Sequence, residues 1–304
     1  VAIGKEAFQN IATDGNAQRN VAIGSGAGKV MTNGMRATFV GYFAGGSYDA
    51  TNSFVNQTFI GSEAGYNHTD GSSNTLVGTE ALFGTSGFAG GHNTVVGARA
   101  GFGSDDIDKA VVIGSNALFG ATTSGADGTI AIGYQSLYSL TSGARNTALG
   151  YQSGKVISTQ DDNTFVGYQS GRATTGATNT CLGKYTMYEG ANADNNTAIG
   201  ANALMNANGA DANTCLGVSA GIAITSANDN VCLGGFAGDI LTTGANNIII
   251  GKSADASAND GTDQIVIGRG LAGTANTRVH IGNGTSHIYN DYNTNATWTH
   301  SSDE

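Results

Sequence analysis

Cys181, Cys215 and Cys232 are the first residues whose type suggests chemistry, since a thiolate binds metal, pairs as a disulfide or attacks as a nucleophile. Three is an odd number for a disulfide framework, and the spacing fits no zinc pattern. They read instead as small buried hydrophobes. His68, His92, His280, His287 and His300 are dispersed along the chain, and only His280 falls within a regular sequence column. Asp105, Asp106 and Asp108 sit in a lengthened loop, and Asp161-Asp162 are adjacent acidic residues elsewhere. Neither set completes a calcium loop, so both read as solvated loop residues. Gly101 to Gly103 is glycine-rich without the context of a phosphate loop. No nucleophile elbow, zinc helix or pair of carboxylates stands out. No catalytic residue, metal site or cofactor is therefore expected. Tyr42, Tyr134, Tyr151 and Tyr168 each follow a glycine at one recurring position, and they suit either a stacking surface for sugars or corner filling.

Composition explains why chemistry is so sparse. The 304 residues include 48 glycines and no proline, and only 12% are charged, about half the usual share. Glycine does not recur every third residue, and regularly spaced Val, Ile and Leu persist, so the chain is neither collagen-like nor disordered. The net charge of −10 is scattered and lacks a basic cluster, which argues against nucleic acid as a partner. No apolar run approaches the length needed to span a membrane, so no membrane insertion is expected. The chain opens in mid-pattern at Val1-Ala2-Ile3-Gly4, which reads as a fragment of something longer.

The pattern is a repeat. A glycine preceded by Ile, Val or Leu recurs at Gly4, Gly24, Gly41, Gly61, Gly78, Gly97, Gly114, Gly133, Gly150, Gly167, Gly183, Gly200, Gly217, Gly234, Gly251, Gly268 and Gly282. The spacing settles at 17 in the middle of the chain and alternates with 19 or 20 nearer the start. The residue before each anchor glycine forms an aliphatic ladder that includes Ile60, Val77, Val96, Ile113, Ile132, Leu149, Val166, Ile199 and Ile250. This ladder is expected to be the inside of a coil. The column two residues earlier is mostly Thr or aliphatic, and by the period of two along a strand it shares that face.

Between those two columns lies a third, almost wholly apolar: Phe39, Phe59, Leu76, Val95, Phe165, Cys181, Cys215, Cys232, Ile249 and Val266 among others. A strand apolar on both faces is covered on both. With the aliphatic ladder inside, this third column is expected to meet other copies of the chain. Asn precedes the Thr column at Asn74, Asn93, Asn146, Asn163, Asn179 and beyond, where stacked amides can bond turn backbone and one another. Three residues after most anchors comes Ala or Ser, small enough for tight stacking.

Each repeat thus reads as one turn of an all-β parallel β-roll, or β-solenoid, with two short strands and two corners. At about 4.8 Å per coil the seventeen anchors would give a rod of roughly 80 Å. Helices are disfavoured by Gly, Asn and Thr throughout and by the lack of a period near 3.6. Two regions are expected: the repetitive shaft at 1–283 and a non-repetitive transition segment at 284–304.

The pattern Asn-Thr-x-[IVL]-Gly followed by x-x-[AS]-[GL], as in Asn146 to Gly154 and Asn163 to Gly171, resembles the head repeats of trimeric autotransporter adhesins of the YadA type. That resemblance covers residues 1 to about 283 and implies a left-handed parallel β-roll assembled as a parallel homotrimer. Trp298-Thr299-His300-Ser301-Ser302-Asp303-Glu304 resembles the junction ahead of the intramolecular chaperone domain of endosialidase-type phage tailspikes and tail fibres. By that resemblance Ser302-Asp303 matches the self-cleavage step, and the chaperone would follow.

Together they imply a structural fibre segment of a phage tail, on a virion appendage. Its expected partners are two further copies of itself, other tail proteins and a host cell-surface glycan or protein receptor. A bacterial trimeric adhesin head on the cell surface is the alternative. The lengthened repeats around Asn10 to Asn20, Ser47 to Gln57, Gly84 to Asn93 and Asp105 to Lys109 are expected to carry any contact surface. An ice-binding solenoid would need an outward Thr ladder, and the expected inward direction argues against it.

Overall fold

A computed structural model describes residues 1–10, 18–31, 33–46, 53–69, 71–85, 87–120, 125–292 and 299–300. Its elements are all strands, and among the described residues there is no helix. The chain is a parallel β-solenoid with coils of about 17 residues. It divides into two compact units, Val1–Asp162 and Asn163–Glu304.

In each unit one three-residue strand per coil stacks on the next in parallel register. In the first, Thr38, Phe39 and Val40 lie beside Thr58, Phe59 and Ile60, and these beside Thr75, Leu76 and Val77. In the second, Thr197, Ala198 and Ile199 lie beside Thr214, Cys215 and Leu216. Among the described residues, the expected second strand of each coil is absent from most repeats. Strands Asn33–Met35 and Ser53–Val55 pair with each other, and elsewhere in the return segments the described residues form only isolated bridges.

The reason lies in the backbone after each anchor. Positions two and four residues on adopt positive φ, as at Glu80 (54°) and Leu82 (48°) or Asn202 (60°) and Leu204 (50°). Alternating hands wind the chain into a tight return that cannot hold strand geometry. Its amides still bond to neighbouring coils: Leu82 donates to Ala100 O at 2.8 Å and Leu204 to Ala220 O at 3.0 Å. These bonds offset the cost of left-handed L-residues, about 1 kcal/mol each. The anchor glycine is demanded twice over. Gly78 and Gly217 have φ of 142° and 144°, and a Cβ at either would overlap the backbone of the next anchor, Gly97 or Gly234.

The direction of the strand faces reverses the sequence expectation. Phe39, Phe59, Leu76, Val95, Phe165, Cys181, Cys215, Cys232, Ile249 and Val266 are fully buried within the single chain. They form the coil core and cannot be a subunit interface. Ile60, Val77, Val96, Ile113, Ile132, Leu149, Val166, Ile199 and Ile250, expected inside, lie on the outer face and are exposed or half-exposed. A period of two makes the flanking columns share a face without saying which face is in. The interior is settled by what closes the coil. By the same parity the Asn column sits on the side of the middle column, and Asn179, Asn196, Asn213, Asn230 and Asn247 are buried with it.

Core volume is shared between the middle column and the residue four after the anchor. Beside Phe165 that residue is Gly171, where a Cβ would overlap the Phe165 ring. Beside Ala198 it is the buried Leu204, and beside Ala131 the buried Leu137. In these coils large meets small, so the narrow interior is shared between the two positions.

Parallel stacking in the second unit runs through Ile265–Arg269 onto Arg278–Asn283. The chain then reverses at Gly284-Thr285, and Ser286–Asp291 pairs antiparallel with Arg278–Asn283. Asn283 Oδ1 fastens this turn by accepting from Thr285 N at 3.0 Å and Ser286 N at 3.1 Å.

Candidate functional surfaces

The outer face carries two columns per strand, Thr or aliphatic and then aliphatic. In the second unit Thr180, Thr197 and Thr214 run beside Leu182, Ile199 and Leu216, with Leu182 47% exposed. In the first, Thr38, Thr58, Thr75 and Thr94 run beside Val40, Ile60, Val77 and Val96. Each unit therefore presents an unbroken stripe of aliphatic side chains to the outside. Isolated exposed aliphatics are ordinary, but an ordered stripe marks a surface that another surface covers.

Inside, the residues that suggested chemistry are locked away. Cys215 and Cys232 are in register on adjacent strands, and all three cysteines are buried free thiols. Burial pushes the Cys181 thiol far up, and Cys215 is raised by its hydrogen bond with Cys232 and by burial, so neither presents a thiolate. His68 is enclosed between the rings of Phe59 and Phe88, at 5.4 and 4.9 Å between centroids. Its Nε2 lies 3.1 Å from Asn74 Nδ2, and burial pushes its pKa down to about 3. His280 is also buried, taking Thr274 N at 3.3 Å on Nε2, and burial with the charges of His287 and Arg278 lowers it to about 4. Both are neutral core groups at ordinary pH.

The acidic loop residues hold backbone. Asp105 accepts from Thr85 N at 2.7 Å and from its hydroxyl at 2.8 Å. Asp108 accepts from Gly91 N, Asp161 from Ala144 N at 2.8 Å, and Asp106 is exposed. The Asp161 contact recurs at Asp194 with Ala177 N and at Asp211 with Asp194 N, at 2.7 and 2.8 Å. A carboxylate or amide at this corner caps the preceding coil, as Ser and Asp cap turns locally. Among the described residues no cluster of three metal-ligating side chains occurs. Asp255 is different: burial, then the charge of Asp239, pushes its pKa up to about 7, so Asp255 holds its proton up to near neutrality.

Tyr42, Tyr134, Tyr151 and Tyr168 are all exposed. Tyr134 and Tyr151 stack at 5.5 Å and 19°, while Tyr42 and Tyr168 meet Phe43 and Tyr185 edge to face. Two aromatic arrangements escape the sequence reading. In the first unit Tyr66, Phe83, Phe102, Phe119 and Tyr138 form one half-buried stack, with centroids 5.1 to 5.3 Å apart and planes within 16°. In the second unit Tyr168, Tyr185 and Tyr188 gather with Arg172 and Lys184. The signal for the first is an aromatic recurring five residues after the anchor.

Ser302 and Asp303 lie outside the described residues, as do positions 11–17, 47–52 and 86 of the lengthened repeats. No described helix is long and apolar enough to cross a membrane. No protein-family model matches the chain, and no curated protein matches it either.

Proposed function

We propose that this chain is a structural segment of a trimeric attachment fibre, whose coils assemble through the outer Thr-x-aliphatic face. The observation that carries the reading is the aliphatic stripe on that face, seen in each unit and left uncovered by the chain itself. The expected homotrimer keeps its stoichiometry, but its contact residues become Ile60, Val77, Val96, Ile113 and Leu149 in one unit and Leu182, Leu216 and Leu233 in the other. Three parallel copies would turn these stripes toward one another and remove them from water, at about 25 cal/mol per Å² of apolar surface. Stability then accumulates coil by coil, as suits a part that bears load. The repeat pattern and the Ser302-Asp303 step support a phage tail fibre on the virion, contacting other tail proteins and a host receptor. The pattern alone supports a bacterial surface adhesin head.

Light scattering after size exclusion tests the assembly. A mass three times that of the chain is expected, and Leu182→Asp with Leu216→Asp should return it to one. A stable monomer of the unmodified chain would overturn the reading.

The outward Thr column favours a second reading, which an inward ladder would have excluded. A flat, regular array of hydroxyls and methyls can order water and bind ice. That requires the face to be free in solution, so thermal hysteresis from a monomer would select it, and a trimer without hysteresis would eliminate it.

A further inference from the structure

We propose that Arg172, Lys184, Tyr168, Tyr185 and Tyr188, at the start of the second unit, bind an acidic glycan, one whose sugars carry carboxylates. The proposal deepens the attachment part of the function proposed above by naming the chemical class of the receptor.

The geometry of the rings comes first. Tyr168 meets Tyr185 at 5.4 Å and 79°, and Tyr185 meets Tyr188 at 5.4 Å and 85°. Two rings joined edge to face cover at most one π-face between them, whereas stacked rings cover two. The stack of the first unit therefore covers all but the two faces at its ends, whereas each contact in this cluster covers one face at most. Tyrosine joins an apolar face, which attracts the polarised C–H groups of a pyranose, to a hydroxyl that can bond its oxygens.

The cations supply the charge selection. Arg172 Cζ lies 5.3 Å over the Tyr188 ring and Lys184 Nζ 4.7 Å over the Tyr185 ring. Neither has a carboxylate within ion-pair distance among the described residues, in contrast to Arg145, which Asp161 and Asp162 hold. A π-face steadies a cation without consuming its N–H groups, so both keep donors for a ligand. The planar fork of arginine suits two parallel bonds to a carboxylate through its terminal nitrogens. In a chain of net charge −10, two cations without carboxylate partners beside three tyrosines favour an anion that brings its own apolar surface.

The test is calorimetric titration of the intact protein with hyaluronan oligosaccharides, whose glucuronate supplies the carboxylate. The controls are the same oligosaccharides with carboxyls reduced to alcohols, and heparin fragments. Saturable binding is expected, weakened at least tenfold by reduction. Arg172→Gln should weaken it about tenfold and Lys184→Gln about fivefold, with melting temperature and solution mass unchanged. Tyr185→Ala should weaken both forms of the oligosaccharide. Absence of binding overturns the proposal, as does equal affinity for the reduced sugar or indifference to both cation substitutions. Binding of heparin alone would overturn the choice of carboxylate. The outcome is separable from assembly: a trimer that binds no acidic sugar refutes this site alone, and a monomer that binds it refutes the trimer alone.

Discussion

The two units build one coil by different means. In Asn163–Glu304 the buried amides form an unbroken clamp. Each Asn takes the N–H of the next on its Oδ1, at 2.9 to 3.0 Å for Asn196, Asn213, Asn230 and Asn247. Its Nδ2 donates to a carbonyl of the next coil, as Asn196 does to Ala210 O at 2.7 Å and Asn213 to Ala227 O at 2.8 Å. The core there is small, with Ala198, Cys215 and Cys232 in the middle column. In Val1–Asp162 the corresponding positions include Ala37, Ala110 and Thr129, so the clamp lapses, and coil lengths vary. Larger rings make up the difference: Phe39 and Phe59 inside, and the five-ring stack half outside. A regular amide ladder demands a constant coil length. Aromatic packing tolerates insertions, and the lengthened repeats occur where it dominates.

The largest effect should come from an anchor. Gly217→Ala places a methyl against the backbone of Gly234 at a φ that L-residues avoid, and a loss of about 4 kcal/mol or more is expected from chemical denaturation. A neutral result would show that the coils can shift apart, and the account of tight stacking would fall.

Next is the response to acid, which should be strongest in the first unit. His68 has a folded pKa of about 3 against an ordinary 6.5, so the unfolded chain takes the proton first. Its contribution is complete above pH 6.5 and is lost as pH falls from 6.5 toward 3, in total on the order of 5 kcal/mol. Hydrogen exchange followed by region between pH 7 and 4 should show protection around His68 declining, and His68→Leu should flatten that profile. His280 acts with the same sign between 6.5 and 4 in the terminal hairpin, where the charges of His287 and Arg278 act on it. Asp255 has the opposite sign. Raised to about 7, it contributes below its ordinary 3.8, and that contribution is lost as pH rises through 7. Asp255→Asn should therefore remove a decline in stability between pH 3.8 and 7.

Breaking the clamp should rank third. Asn213→Leu strands the N–H of Asn230 and the carbonyl of Ala227, at a cost of about 3 kcal/mol. Phe102→Ala, which interrupts the first unit's stack, should cost only about 1 to 2 kcal/mol because the ring is half-buried. If the two costs were equal, the division of labour between amides and rings would be wrong. The smallest change is a gain. Thr129 buries a hydroxyl that finds no partner among the described residues, and Thr129→Asn should extend the ladder and add about 1 kcal/mol, read as a rise in melting temperature.

Much of this was legible before any coordinates. Seventeen anchors, each with an aliphatic neighbour and most with a small residue three positions on, dictate coil length, parallel stacking and register, because only equivalent residues at equal spacing can stack indefinitely. The anchor glycines announced their corner for the same reason. The surfaces were less legible. Tyr185, Tyr188, Arg172 and Lys184 are unremarkable alone and become a cluster only when adjacent coils bring them together.

The inside of the coil was the tertiary structure's decision. Along Thr214-Cys215-Leu216 the alternation places Cys215 opposite its neighbours, but both assignments bury apolar groups, and leucine is the better hydrophobe. What sends Cys215 inward is the closure of the coil behind it, where the Asn213 amide clamps the next turn and Gly221 leaves room for the thiol. Local alternation determines that two faces differ. Which one becomes the core depends on residues far enough along the chain to meet it only after the coil has closed.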